Sequence, residues 1–268
     1  MRIVDCHVHM GSEVQDPDGL LRAMDDNGVD RTIVISQAER NSLQRTRENL
    51  AATKRLFDYA PDRLSGLARV DPTIPGMVDL ARRALVEMGF VGIKIIPDHW
   101  YPYEERVEPF WEAMNELGAS ILFHTGILYG FEDGSRFCKP LYLEKLLFYP
   151  RIRFSMAHIS WPWCDECLAV MGRMRAARGY NVDEWQSYID ITPGPPLYIR
   201  KQAFSNALQT HGAERMLLGT DGSVPGDLSH QKRNLESYLR IFDELELSEA
   251  DRERILSGTA DELFPPRG

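Results

Sequence analysis

Short apolar, β-branched runs alternate along the 268-residue chain with longer stretches whose apolar positions recur on one helical face. That alternation predicts βα units and a parallel sheet. The runs IVDCHVH (3–9), RTIVISQ (31–37), LSGLARVD (64–71) and FVGIKII (90–96) read as strands. SILFHTG (120–126), IRFSMAHI (152–159), SYIDIT (187–192) and RMLLGTD (215–221) complete a set of eight. Most are nearly continuous in apolar residues, as expected of strands covered on both faces. LAATKRLFDY sets Leu50, Leu56, Phe57 and Tyr59 among Lys, Arg and Asp, which suits a one-faced helix. MVDLARRALVEM, PFWEAMNEL, LYLEKLLF and LYIRKQAFSNALQ read the same way, with Pro61, Pro75, Pro150 and Pro162 at the borders. Ser248 and Asp251 have capping-box spacing before a last helix through ERILSGTADELF. Eight strands with helical crossovers, no repeat and no Pro/Gly/Ser linker predict a closed (β/α)₈ TIM barrel forming one domain over 1–268, near the typical barrel length of about 250 residues.

The bulk composition narrows the function. Apolar residues make up 43% of the chain, enough for a large core. The net charge of −9, from 31 basic and 40 acidic residues, argues against a nucleic-acid or anionic-membrane surface. No apolar run is long enough to span a bilayer. With no signal-peptide pattern ahead of MRIVDCHVH, a cytoplasmic location is expected. No glycine-rich nucleotide fingerprint follows any strand. Cys164 and Cys167 have C-x-x-C spacing, but no second pair completes a zinc clamp, so they read as helix-borne thiols.

The chemistry lies in where the polar residues fall. His7 and His9 close strand one, His124 strand five, His158 strand six and Asp221 strand eight. An unpaired imidazole or carboxylate in an apolar strand costs several kcal/mol, so these five point to one shared site at one end of the barrel. In a strand, positions i and i+2 share a face about 6.6 Å apart, so His7 and His9 can bind one cation while Cys6 and Val8 turn outward. Nitrogen and carboxylate donors without thiolates suit Zn²⁺, with Mn²⁺ or Fe²⁺ as alternatives. The loops after strands four, five and six carry aromatic residues, among them Trp161, that would wall a substrate pocket. His99 and Arg136 lie in these loops as candidate substrate contacts. Asp5 shares the parity of His7 and His9, which suggests that it orients an imidazole. His211 and His230 read as surface residues.

VDCHVH at strand one, FHTG at strand five, AHIS at strand six and GTDGS at strand eight resemble the amidohydrolase superfamily. The resemblance is closest to the amidohydrolase-related branch that includes aminocarboxymuconate-semialdehyde decarboxylase-like enzymes, and it runs from Asp5 to ILSGTADELF. One departure is Thr259, where the terminal helix of that branch often carries Asn. The resemblance implies a single divalent cation, zinc or manganese, held by His7, His9, His124 and Asp221, with His158 catalytic beside it. The alternative is a binuclear site bridged by a carboxylated Lys94. In a mononuclear site an inward Lys94 would instead face an anionic substrate group. A small-molecule substrate and homo-oligomeric assembly also follow by analogy.

Two reactions fit such a centre. In hydrolysis of an amide, lactone or ester, the cation acidifies water to a pKa of about 7, Asp221 shuttles the proton and His158 polarises the carbonyl. In non-oxidative decarboxylation of a small, aromatic or other carboxylic acid, Asp221 or His158 protonates carbon as CO₂ leaves. A third reading, a non-catalytic protein with a structural metal, suits small cysteine-rich folds better than a barrel.

Overall fold

The computed structural model describes residues 1–11, 16–37, 42–181, 184–224 and 229–267, leaving aside the side chains of 229 and 230. The reading of His230 therefore lies outside the described residues. Nine parallel strands form one sheet: β1 (Val4–Met10), β2 (Arg31–Ile35), β3 (Leu64–Arg69), β4 (Gly92–Ile95), β5 (Ser120–Phe123), β6 (Arg153–Met156), β7 (Ser187–Asp190), β8 (Met216–Leu217) and β9 (Gly222–Val224). Their order is β8-β7-β6-β5-β4-β3-β2-β1-β9. β8 lies in the eighth run that the sequence predicts (215–221) and β9 just beyond it, so the last strand comes in two halves, broken at 218–221. Both halves border β1: Cys6 N donates to Leu218 O at 3.0 Å, and Asp221 N donates to His7 O at 2.9 Å. The ring thereby closes as an eight-stranded (β/α)₈ barrel whose last strand is interrupted where Asp221 sits.

Helices cover the outside: α1 (Pro17–Asn27), α2 (Leu43–Tyr59), α3 (Met77–Val86), α4 (Glu108–Leu117), α5 (Cys164–Ala177), α6 (Leu197–His211) and α7 (Ser229–Glu244). The predicted helix LYLEKLLF is instead a run of 3₁₀ turns over Pro140–Phe148. At the end of the chain α8 (Glu249–Glu253), a π-turn and α9 (Thr259–Leu263) follow Ser248, whose hydroxyl accepts from Asp251 N as the capping pattern predicts. Ala260, Leu263 and Phe264 pack into the cluster that fills the barrel's interior. The Phe264 carbonyl accepts from the buried Arg31 guanidinium at 2.7 Å. Only glycine fits at Gly92, where a Cβ would lie 2.8 Å from the Phe264 ring. The N-terminal end of the barrel is thus plugged, leaving the C-terminal end for chemistry.

Strict strand alternation fails in β1. Asp5 pairs with Thr32 but Val8 with Val34, so three steps on β1 oppose two on β2. This β-bulge inserts one residue and reverses the facing of what precedes it. Cys6, expected to face the helices, instead joins Val4, Ile33, Leu67 and Leu217 inside the barrel, while Val8 packs outward. Asp5 is likewise turned away from the imidazoles. It accepts from Thr220 N at 3.0 Å, from Gln231 Nε2 at 2.7 Å and from His7 N at 3.2 Å. It fastens the broken eighth strand and α7 to β1 rather than orienting an imidazole.

The reading of His211 as a surface residue is also corrected. It is buried, with Nε2 at 3.1 Å from the Leu168 carbonyl, because it ends α6 on the side packed against α5. Cys164 and Cys167 are free thiols on α5. Burial pushes their pKa values up to about 11 and about 12, so both stay protonated at neutral pH, unlike metal-binding or redox thiolates. No helix among the described residues is long and apolar enough to cross a membrane.

Candidate metal centre

Three of the anticipated side chains meet at the C-terminal mouth. His7 Nε2 lies 3.1 Å from His9 Nε2, and Asp221 Oδ1 lies 3.6 Å from the first and 3.4 Å from the second. Together they offer ligand atoms within 4.8 Å of one another. The bulge puts both imidazoles on the inner face. Asp221 reaches them from the break between β8 and β9 with φ of 58°, a left-handed conformation that Asp tolerates better than most residues. Gly219 in the same break has no room for a Cβ, which would lie 2.6 Å from His7 Cβ and 2.3 Å from Thr192 Oγ1.

The protonation pattern suits a cation. His7 Nδ1 lies 2.7 Å from the buried Asp190 carboxylate, so its proton sits there and the Nε2 lone pair faces the site. Asp190 is itself held by Thr192 N at 2.7 Å and by the Thr192 hydroxyl. Burial lowers the pKa values of His7, His9, His124 and His158, which keeps these imidazoles neutral. Burial raises the Asp221 carboxyl, but its hydrogen bond with His9 and its interactions with the surrounding histidines outweigh this and hold it well below the usual range. Imidazole nitrogens and a carboxylate converging on one point are the donor set of a divalent metal.

The remaining anticipated residues divide. His158 lies in the same cluster, its ring 5.4 Å from His7 and 4.9 Å from His124. Its φ of 64° opens a three-residue left-handed turn that swings the ring into the mouth. Its buried Nδ1 has no hydrogen-bond partner among the described residues. His124 stands beside the group of three, with Nε2 facing the Ile127 carbonyl at 3.2 Å. Lys94 points inward and is fully buried, with Nζ 3.2 Å from His7 Nε2. Burial lowers its pKa to about 8 against the pull of Asp190 and Asp221.

A pocket opens above the cluster, lined by His9, His124, His158 and Asp221 together with Arg69, Phe131 and Trp161. Arg136 does not line it. This exposed side chain pairs with Asp133 at 3.1 Å and stacks on Phe137. His99 is also off the pocket, engaged by Asp98 and by Thr73 at 3.2 Å.

Sequence reasoning missed Asp190 and Arg69. Each ends a strand, β7 and β3, and that position was the available signal. Asp190→Asn is expected to weaken metal binding by about 10- to 100-fold, because the amide no longer fixes the His7 tautomer. Titration of the apoprotein with zinc and with manganese measures it, and wild-type affinity in the variant would remove Asp190 from the centre.

Among known proteins, the amidohydrolase family model matches residues 4–265. The chain belongs to the amidohydrolase family. It is therefore a metal-dependent enzyme. No curated protein matches the sequence.

Solved structures share the fold at low identity. A manganese-bound 5-carboxyvanillate decarboxylase from Novosphingobium aromaticivorans is 15% identical, with a TM-score of 0.70 over 98% of this chain and 96% of that one. A probable 2-pyrone-4,6-dicarboxylic acid hydrolase from Acinetobacter baumannii is 17% identical, with a TM-score of 0.66 over 98% and 99%. An amidohydrolase from Burkholderia multivorans with bound zinc is 15% identical, with a TM-score of 0.68 over 98% and 99%.

Proposed function

We propose that this amidohydrolase is a mononuclear metal-dependent hydrolase acting on a small organic amide, lactone or ester that carries an anionic group. The observation that carries this reading is the convergence of His7 Nε2, His9 Nε2 and Asp221 Oδ1 at the floor of an open pocket. His7, His9, His124 and Asp221 would hold one zinc or manganese ion. A divalent cation there supplies a Lewis acid that acidifies water and polarises a substrate oxygen.

The chain's own residues do the rest. Asp221 is ionised and its side chain is 38% exposed toward the pocket, so it can take a proton from water and return it to the leaving group. His158 is neutral, with its Nδ1 lacking a partner among the described residues, and can hydrogen-bond the oxygen on which charge develops. Arg69 gives the pocket wall a cation for a substrate carboxylate, and Phe131 and Trp161 give it apolar area. Lys94 lies outside the pocket lining, so we assign it to balancing Asp190 and Asp221 rather than to the substrate.

Decarboxylation is the second reading, favoured by Arg69 at the pocket wall and by the likeness to the N. aromaticivorans decarboxylase of 5-carboxyvanillate. The test is a screen of lactones, amides and aromatic carboxylic acids on protein loaded with zinc or manganese, recording acid release and CO₂ together. Acid release without CO₂ is the expected result. CO₂ release transfers the assignment to the decarboxylase, and turnover unchanged after chelation would overturn both.

A further inference from the structure

A second pocket lies at the opposite end of the barrel, where β5, β6 and β7 begin. It is lined by Gly118, Pro150, Arg151, Arg153, Arg178, Glu184, Trp185 and Gln186. Three guanidinium groups thus face one cavity in a protein with 40 acidic and 31 basic residues.

Elsewhere that acidic excess neutralises cations directly. Arg2 pairs with Asp261, Arg63 with Asp25, Arg82 with Glu116, Arg254 with Glu262 and Lys201 with Glu244. Arg151, Arg153 and Arg178 have no ion-pair partner among the described residues. The groups they touch are neutral. Arg178 donates to Gln186 Oε1 at 2.8 Å and to the Leu147 carbonyl at 3.3 Å, while Arg153 reaches Ser120 Oγ at 3.5 Å. The Arg151 guanidinium lies over Gly118, 3.8 Å from where a Cβ would stand. The one carboxylate among the described lining residues, Glu184, accepts from Asn181 Nδ2 at 2.9 Å.

Further positive charge surrounds the cavity, since Arg175 and Arg215 stack on the Trp185 ring at 5.4 and 4.8 Å. Those stacked guanidiniums cover the indole, so the pocket offers charge and hydrogen-bond donors rather than a free aromatic face. The Arg178 fork is also held in place: Gln186, which binds it, is locked by its own bonds to the carbonyls of Leu146, Tyr149 and Ile152. Guanidinium forks match the oxygens of phosphate and carboxylate, and three like charges held close repel until an anion joins them.

We propose that this pocket binds a small multivalent oxyanion through Arg151, Arg153 and Arg178, at a site separate from the metal centre. Isothermal titration of the metal-loaded full chain with inorganic phosphate, and separately with malonate, tests it. The anion that binds identifies the ligand's groups as phosphoryl or carboxylate. Arg151→Gln combined with Arg153→Gln is expected to weaken binding at least tenfold, because each loses a charge-assisted fork. Arg151 is exposed and the Arg153 side chain makes one long hydrogen bond among the described residues, so the double variant is expected to retain its fold, as circular dichroism will check. Glu184→Gln, which removes the only carboxylate among the described lining residues, is expected to tighten binding several-fold. His158→Ala, at the other end of the barrel, should leave the affinity unchanged. Binding that the double arginine variant leaves intact would overturn the proposal, as would the failure of both anions to bind more tightly than about 10 mM.

Discussion

Asp221→Asn is expected to lower kcat by about 10³-fold or more, the largest effect of any single substitution in this chain, and to reduce bound metal as well. Two losses combine. The amide cannot take up a proton as the ionised Asp221 carboxylate can, and loss of a positioned base costs about 10²- to 10⁴-fold. The substitution also removes the only anionic member of the group within 4.8 Å. The backbone should tolerate the change, because Asn is at home in the left-handed conformation that Asp221 adopts and can keep the N–H bond to the His7 carbonyl. Steady-state kinetics with metal analysis on the same sample measures both effects. A variant that turns over at more than about a tenth of the wild-type rate would remove Asp221 as the base.

His158→Ala should separate chemistry from metal binding. Turnover is expected to fall by about 10²- to 10⁴-fold while the metal content stays near that of the wild type. The ring sits in the pocket wall within 5.4 Å of His7, yet it lies outside the group whose ligand atoms share one point. Its buried Nδ1 has no partner among the described residues, so truncation strands no other polar group of this set. The variant should therefore fold with unchanged stability to within about 1 kcal/mol once the small cavity is allowed for. Metal loss in proportion to activity would make His158 a ligand, and retained activity would end its catalytic assignment.

How much was legible in the sequence follows from which interactions are local. β1 to β8 declared themselves as apolar runs because a strand buried on both faces needs apolar residues throughout, whereas β9 lies beyond the eighth run. A His or Asp breaking such a run stands out for the same reason, so His7, His9, His124, His158 and Asp221 were visible as a set. Distance along the chain could not say how closely they approach. His7, His9 and Asp221 share one point, whereas the His124 Nε2 faces the Ile127 carbonyl.

Loop residues were less readable. Arg136 and His99 have the right chemistry and lie in the right loops, but nearby acids engage them away from the pocket. Arg69 looked like an ordinary strand-end cation, yet it lines the pocket because β3 delivers it there.

By itself, then, the sequence determined the barrel, the strand ends that carry chemistry and the family, since period and residue type along the chain carry that information. Only the tertiary structure decided which face of β1 holds each residue, because a single inserted position, visible in the pairing with β2, exchanges inside for outside. It also decided that Asp190 rather than Asp5 steadies His7, a contact between residues 183 positions apart that only ring closure brings together.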